Sequence, residues 1–190
     1  MAARRAFAGI ARRLFAAACL LFSLTAGGAT LGPELTIRLH PDGGEPIALG
    51  RLILTPEGGG YRFRVQLDED SFEDQFLSMR PFKCLPHPTQ VICHLAYPYE
   101  NRRLISADDL ADLEYDLLFL HKSPQEYGIN AWNGFYFELR MTDGGLEGEL
   151  RETDLNVLAS PPEEGDLRPI RRAELYPASD RHWPRRITIR

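Results

Sequence analysis

Apolar and polar residues alternate along this chain in short runs bounded by turn residues. In residues 61–67, Tyr61, Phe63, Val65 and Leu67 share one face, and Arg62, Arg64 and Gln66 share the other. That period of two belongs to a half-buried strand. Residues 135–141 repeat it, with Phe135, Phe137, Leu139 and Met141 opposite Tyr136, Glu138 and Arg140. Beyond Asp143-Gly144-Gly145, Leu146, Gly148 and Leu150 oppose Glu147, Glu149 and Arg151. Glycines at the junction permit positive φ, so these two segments predict a hairpin. Further strands are expected at residues 34–40, 47–54, 90–95, 116–121 and 185–190. Leu117-Leu118-Phe119-Leu120 is apolar on both faces, which suits a central or covered strand.

One short helix is expected at residues 107–113, with Ser106 as N-cap and Asp108 and Asp109 in the first turn. Leu110, Leu113, Leu117 and Leu120 also have helical spacing, so a longer helix through Leu120 is the alternative. It would put Phe119 on the polar side, which favours the break. The prediction is a mostly β protein, an antiparallel barrel or strongly curved sheet with one short helix in a single domain. The 135–150 hairpin is expected at its centre, with Ile187 and Ile189 packed inward and residues 160–166 as a long surface connection.

The first 29 residues do not fit this pattern. Arg4, Arg5, Arg12 and Arg13 precede an uncharged run over residues 14–26, and Ala26-Gly27-Gly28-Ala29 follows. A basic start, an apolar centre and small residues predict a signal peptide at 1–29, cleaved after Ala29. Residues 14–31 include Thr25, Gly27, Gly28 and Thr30, a poor fit to a spanning helix of about 20 apolar residues. Residues 30–190 are therefore expected as an exported β-rich domain, periplasmic or secreted, with no stable membrane span after cleavage.

Charge narrows the partners. The chain has 22 Lys+Arg and 27 Asp+Glu, and four of the arginines lie in the leader. Residues 30–190 thus carry a net charge of −9, which argues against nucleic acid as a partner. Residues 167–190 run the other way, with seven arginines against Glu174 and Asp180. Such a segment can pack along the acidic body or touch an anionic lipid or cell-wall polymer.

After loss of Cys19 with the leader, Cys84 and Cys93 remain. Two cysteines in an oxidising compartment predict a disulfide. Cys84, His87, Cys93 and His94 also have the residue types of a zinc site, but Cys93 and His94 would point to opposite faces of a strand. No metal is expected there. The acidic run Asp68, Glu69, Asp70, Glu73 and Asp74 lacks the offsets of a calcium loop and is expected as a solvated loop or helix start.

No nucleophile elbow, zinc-protease pattern or phosphate-binding glycine loop is present, and no cofactor is implied. Tyr97, Tyr99, Tyr127 and Trp132 lie in expected loops, where convergent aromatics would form a candidate binding surface. The favoured function is a non-enzymatic binding or interaction module of the cell envelope. Its partner would be an envelope protein, a glycan or a small apolar ligand. Two alternatives stand beside it. One is a lipocalin-like carrier of a small apolar ligand within a barrel. The other is an envelope hydrolase with His94 or His121 as base and Asp116 or Asp154 as its carboxylate.

The runs Pro81-Phe82-Lys83-Cys84, Cys93-His94-Leu95, Tyr97-Pro98-Tyr99, Leu113-Glu114-Tyr115-Asp116 and Trp132-Asn133-Gly134 together resemble an uncharacterised group of exported proteobacterial proteins. The resemblance spans most of the chain after the leader. It implies an envelope location and carries no activity, ligand or site residue.

Overall fold

The computed structural model describes residues 30–76 and 81–190. The leader, with its expected cleavage after Ala29, lies outside the described residues. The alternating segments fold as strands: β1 (Glu34–Pro41), β2 (Ile47–Glu57), β3 (Gly60–Leu67), β4 (Glu73–Phe76), β5 (Pro81–Leu85) and β6 (Val91–His94). There follow β7 (Leu104–Ile105), helix α1 (Ala111–Tyr115), β8 (Phe119–Lys122), β9 (Gly134–Thr142), β10 (Gly145–Thr153), β11 (Tyr176–Pro177) and β12 (Pro184–Ile189). They form one antiparallel sheet in the order β4-β5-β6-β8-β9-β10-β12-β1-β2-β3-β7, with β11 added beside β10. Among the described residues the fold is mostly antiparallel β with one short α-helix, and the sheet does not close.

The β9–β10 hairpin stands near the middle of that order. It pairs Met141 with Leu146 and Phe137 with Leu150, and Gly144 turns the chain with φ of 88°. A residue with a Cβ is strained at that angle. One core collects Phe63 and Ile105 from one end of the sheet and Leu85 and Ile92 from near the other. Strands so far apart in the order share a core only because the sheet curls strongly upon itself. Ile187 and Ile189 of β12 are fully buried in it. Each such side chain contributes about 1.5–3 kcal/mol relative to exposure.

A second core lies on the opposite face of β5, β6, β8 and β9. Val91, Cys93, Leu120 and Tyr136 face it, while Ile92, Phe119 and Phe137 face the first. Leu155, Leu158 and Ile170 cover it from outside. Leu117-Leu118-Phe119-Leu120 is apolar on both faces for this reason, but the strand expected from residue 116 begins only at Phe119, because residues 116 and 117 still turn out of the helix. Cys84 and Cys93 stand opposite each other across β5 and β6 and form the disulfide. The zinc alternative thereby loses both thiolates.

Two expectations need correction. The helix starts four residues later than residue 107 and runs Ala111–Tyr115, with Leu110 as N-cap. Ser106 and Asp109 instead bridge each other through backbone hydrogen bonds of 2.9 and 3.3 Å. The carboxylate of Asp109 accepts the N–H of Ala111 at 3.2 Å, so Asp109 and not Ser106 serves the helix start. The longer helix does not form, because the chain leaves α1 at Asp116 and enters β8 at Phe119. The acidic run 68–74 begins, as expected, as a solvated helical turn at Glu69–Ser71, but Glu73 and Asp74 enter β4 instead of continuing the loop. β4 and β5 carry no alternation signal: β4 is a polar edge strand, and Pro81 opens β5 where no ladder donor is required.

The outer cover is fastened by ion pairs that reach two buried carboxylates, Asp112 and Glu114. Arg168 donates to Asp109 at 2.9 and 3.0 Å and, through Nε, to Asp112 at 2.8 Å. Arg172 donates to Glu114 at 3.0 Å and to Glu138 at 2.9 Å. Glu114 is fully buried and also accepts the Tyr136 hydroxyl and, at 2.7 Å, the N–H of Leu139. β8 pairs β9 only at Phe135 and Gly134, so farther along β9 this carboxylate takes the place of a neighbouring strand. Burial first, and then the charge of Glu114, push the Tyr136 phenol up, so it remains a donor. Arg171, Arg185 and Arg190 pair with Asp166, Asp180 and Glu147. The basic segment packs along the acidic body.

Candidate functional site

A groove of about 370 Å³ lies where β10, β11 and the loop before β9 meet, lined by Trp132, Glu152, Thr153, Asp154, Val157, Glu174 and Tyr176. Four large apolar or aromatic side chains are exposed among the described residues: Tyr127, Trp132, Val157 and Tyr176. Three of the four line this groove. Trp132 is 68 % exposed and Tyr176 61 %, exposures that packing alone does not account for when they gather at one place.

Local geometry holds these groups in position. The N–H of Trp132 donates to the Asn130 side chain at 3.0 Å, and the N–H of Leu155 donates to the carbonyl of Ala131 at 2.8 Å. The loop is thus tied to the 3-10 turn Leu155–Leu158 that carries Val157. Gly134 makes the close approach possible, since a Cβ there would stand 2.5 Å from both Leu155 and the Thr153 carbonyl. Asp154 caps that turn, accepting the N–H of Asn156 at 2.8 Å. Tyr176 lies opposite Glu152 in the β10–β11 pair.

Of the four aromatics expected at a binding surface, only Trp132 lines the groove. Tyr97 and Tyr99 meet edge to face at 5.7 Å and pack against the second core. Their hydroxyls donate to the carbonyls of Leu167 and Leu158 at 3.0 and 2.8 Å, bracing the cover. Burial raises the Tyr97 phenol to about 12. Tyr127 is wholly exposed and lies outside the groove lining. Tyr176 and Val157, which no sequence pattern marks, complete the lining.

The histidine–carboxylate pairs proposed for a hydrolase do not form. His94 meets the backbone carbonyl of Asp116 at 2.9 Å, while the Asp116 carboxylate bonds Asn101 and faces Arg103. Burial lowers the pKa of His94 and raises that of Asp116. Asp154 caps its own turn through Oδ1 and, among the described residues, makes no hydrogen bond with a histidine. His121 stacks on Phe135 at 4.4 Å and contacts Gln90 at 3.2 Å. Burial first, and then the neighbouring His182 ring, lower its pKa to about 4.

The histidine that does meet a carboxylate is His182, with Nε2 2.9 Å from Oε1 of Glu152. Its Nδ1 lies 2.7 Å from Nε2 of Gln90, so the amide donates to Nδ1 and the ring donates from Nε2. Both ring nitrogens are engaged within the protein, and the ring is buried. His182 holds Glu152 in place and has no free nitrogen to take a proton from a substrate. A larger hollow of about 710 Å³, lined by Thr36, Arg51, Gln66 and residues 67–70 among others, has no aromatic wall.

No known protein family, curated protein or solved structure matches this chain. Among the described residues, no helix is long and apolar enough to cross a membrane.

Proposed function

We propose that this chain is an exported cell-envelope protein that acts as a non-catalytic binding module, with the Trp132–Tyr176 groove as its contact site. The observation that carries the reading is the gathering of Trp132, Val157 and Tyr176, three of the four exposed large apolar side chains of the described residues, in one groove. Aromatic walls beside fixed polar groups are the ordinary composition of a recognition site. The engaged nitrogens of His182 favour binding over hydrolysis. The two cores are filled by side chains from both halves of the sheet, which favours a surface contact over a ligand carried inside a barrel. The Cys84–Cys93 bond fits a periplasmic or secreted location.

Hydroxyl-radical footprinting of the protein in intact cells tests the reading. Trp132 and Tyr176 should be protected there relative to the purified protein, while Tyr127 oxidises equally in both. Equal oxidation of Trp132 in cells and in isolation would mean that the groove has no occupant.

A further inference from the structure

The groove holds a feature that narrows its ligand. Three carboxylates line it, those of Glu152, Asp154 and Glu174, and none of the residues lining it is Lys, Arg or His. Each is anchored through one oxygen by a backbone N–H. Ser179 donates to Oε1 of Glu152 at 2.6 Å, Asn156 to Oδ1 of Asp154 at 2.8 Å, and Arg171 to Oε2 of Glu174 at 3.2 Å. Among the described residues, the second oxygen of each accepts no hydrogen bond. The carboxylates are therefore held in orientation with acceptor capacity to spare.

We propose that the groove binds a small organic cation bearing an ammonium or guanidinium group. This rests on the groove being the contact site, as argued above. The chemistry is complementary on two counts. Trp and Tyr faces attract a cation through the ring quadrupole. Carboxylate oxygens accept charge-assisted hydrogen bonds from N–H donors. An anionic ligand would meet three like charges. A neutral sugar could stack on the aromatics and donate hydroxyls, but it would leave those charges uncompensated on binding. The volume, about 370 Å³, is near the lower end of small-molecule sites and suits one compact ligand.

The test titrates the full mature chain with agmatine, with triacetylchitotriose and with an Arg-containing tripeptide, following the two tryptophan indole N–H signals by NMR. Agmatine should shift the Trp132 signal and leave that of the buried Trp183 in place. Trp132→Ala should weaken agmatine binding about fivefold, read by calorimetry. Asp154→Asn and Glu174→Gln should each weaken it roughly two- to fivefold. Asparagine is itself a good N-cap, so Asp154→Asn keeps the turn, and unchanged circular dichroism confirms that the fold survives. Binding should weaken as salt rises.

If chitotriose shifts Trp132 and agmatine does not, the cation assignment falls and the groove remains the contact site. Binding confined to the tripeptide would overturn the small-molecule assignment in favour of a basic peptide. If no probe shifts Trp132 while that residue stays protected in cells, the cation proposal alone falls. Silence of every probe together with no protection in cells removes both.

Discussion

In β1, β2 and β3, buried and exposed positions alternate, and Arg51, Arg62 and Arg64 stand in solvent on the outer face. In β6, β8 and the first half of β9, residues on both faces are buried. The first region needs only its period-two pattern and one core. The second needs a cover, and a cover brings backbone and charged groups away from water. Those groups must be paired or they cost roughly 1–3 kcal/mol each. The two regions therefore depend on different things: the one-faced region on hydrophobic area, the two-faced region on particular polar partners as well.

Glu114→Ala should break the two-faced region most severely. It removes the acceptor of the Tyr136 hydroxyl and the Leu139 N–H, both buried, and releases Arg172. A loss of about 3 kcal/mol is expected, read as a shift of the urea midpoint. Reduction of Cys84–Cys93 comes next, at about 2–3 kcal/mol for a loop of this length, measured by unfolding with and without reductant.

A pH effect should follow from His121, whose pKa burial lowers to about 4 from the ordinary imidazole value of 6.5. Between those values the unfolded chain binds the proton and the folded chain does not. Its contribution to stability is complete above pH 6.5 and is lost as pH falls towards 4. The ring is partly open to solvent, so the loss is on the order of 1–2 kcal/mol rather than the full conversion. His121→Phe keeps the stacking surface and should flatten that part of the stability–pH curve.

Arg51→Ala marks the other extreme. Its pair with Glu34 leaves both side chains about half exposed, 51 % and 53 %, and its loss should cost no more than about 0.5 kcal/mol. Should Arg51→Ala and Glu114→Ala shift the urea midpoint equally, the distinction between the regions would collapse.

The same distinction explains what could be read from the chain. The alternation at residues 61–67 and 135–141 is local, so β3, β9 and the hairpin to β10 were visible, as was the pairing of two lone cysteines. The helix start is not legible because Ser106 has the chemistry of a cap, while the turn closes on Asp109 instead. The partners of Arg168 and Arg172 lie 34 to 59 residues away in the chain, and no local pattern announces such pairs. Tyr97, Tyr99 and Trp132 look alike in sequence, each an aromatic in a polar or proline-containing loop. The cover that passes over the first two makes them braces; no segment of the described residues passes over Trp132. Tyr176 was invisible because a two-residue edge strand is too short to show a period.

The bridge between Cys84 and Cys93 also has a mechanical side. The two residues are directly opposed across β5 and β6, nine positions apart in the chain. A pull on the two ends of the protein passes through the sulfurs and bypasses residues 85–92. About 30 Å of extended chain is thus withheld from any stretching of the oxidised molecule, and a reductant releases that length in full.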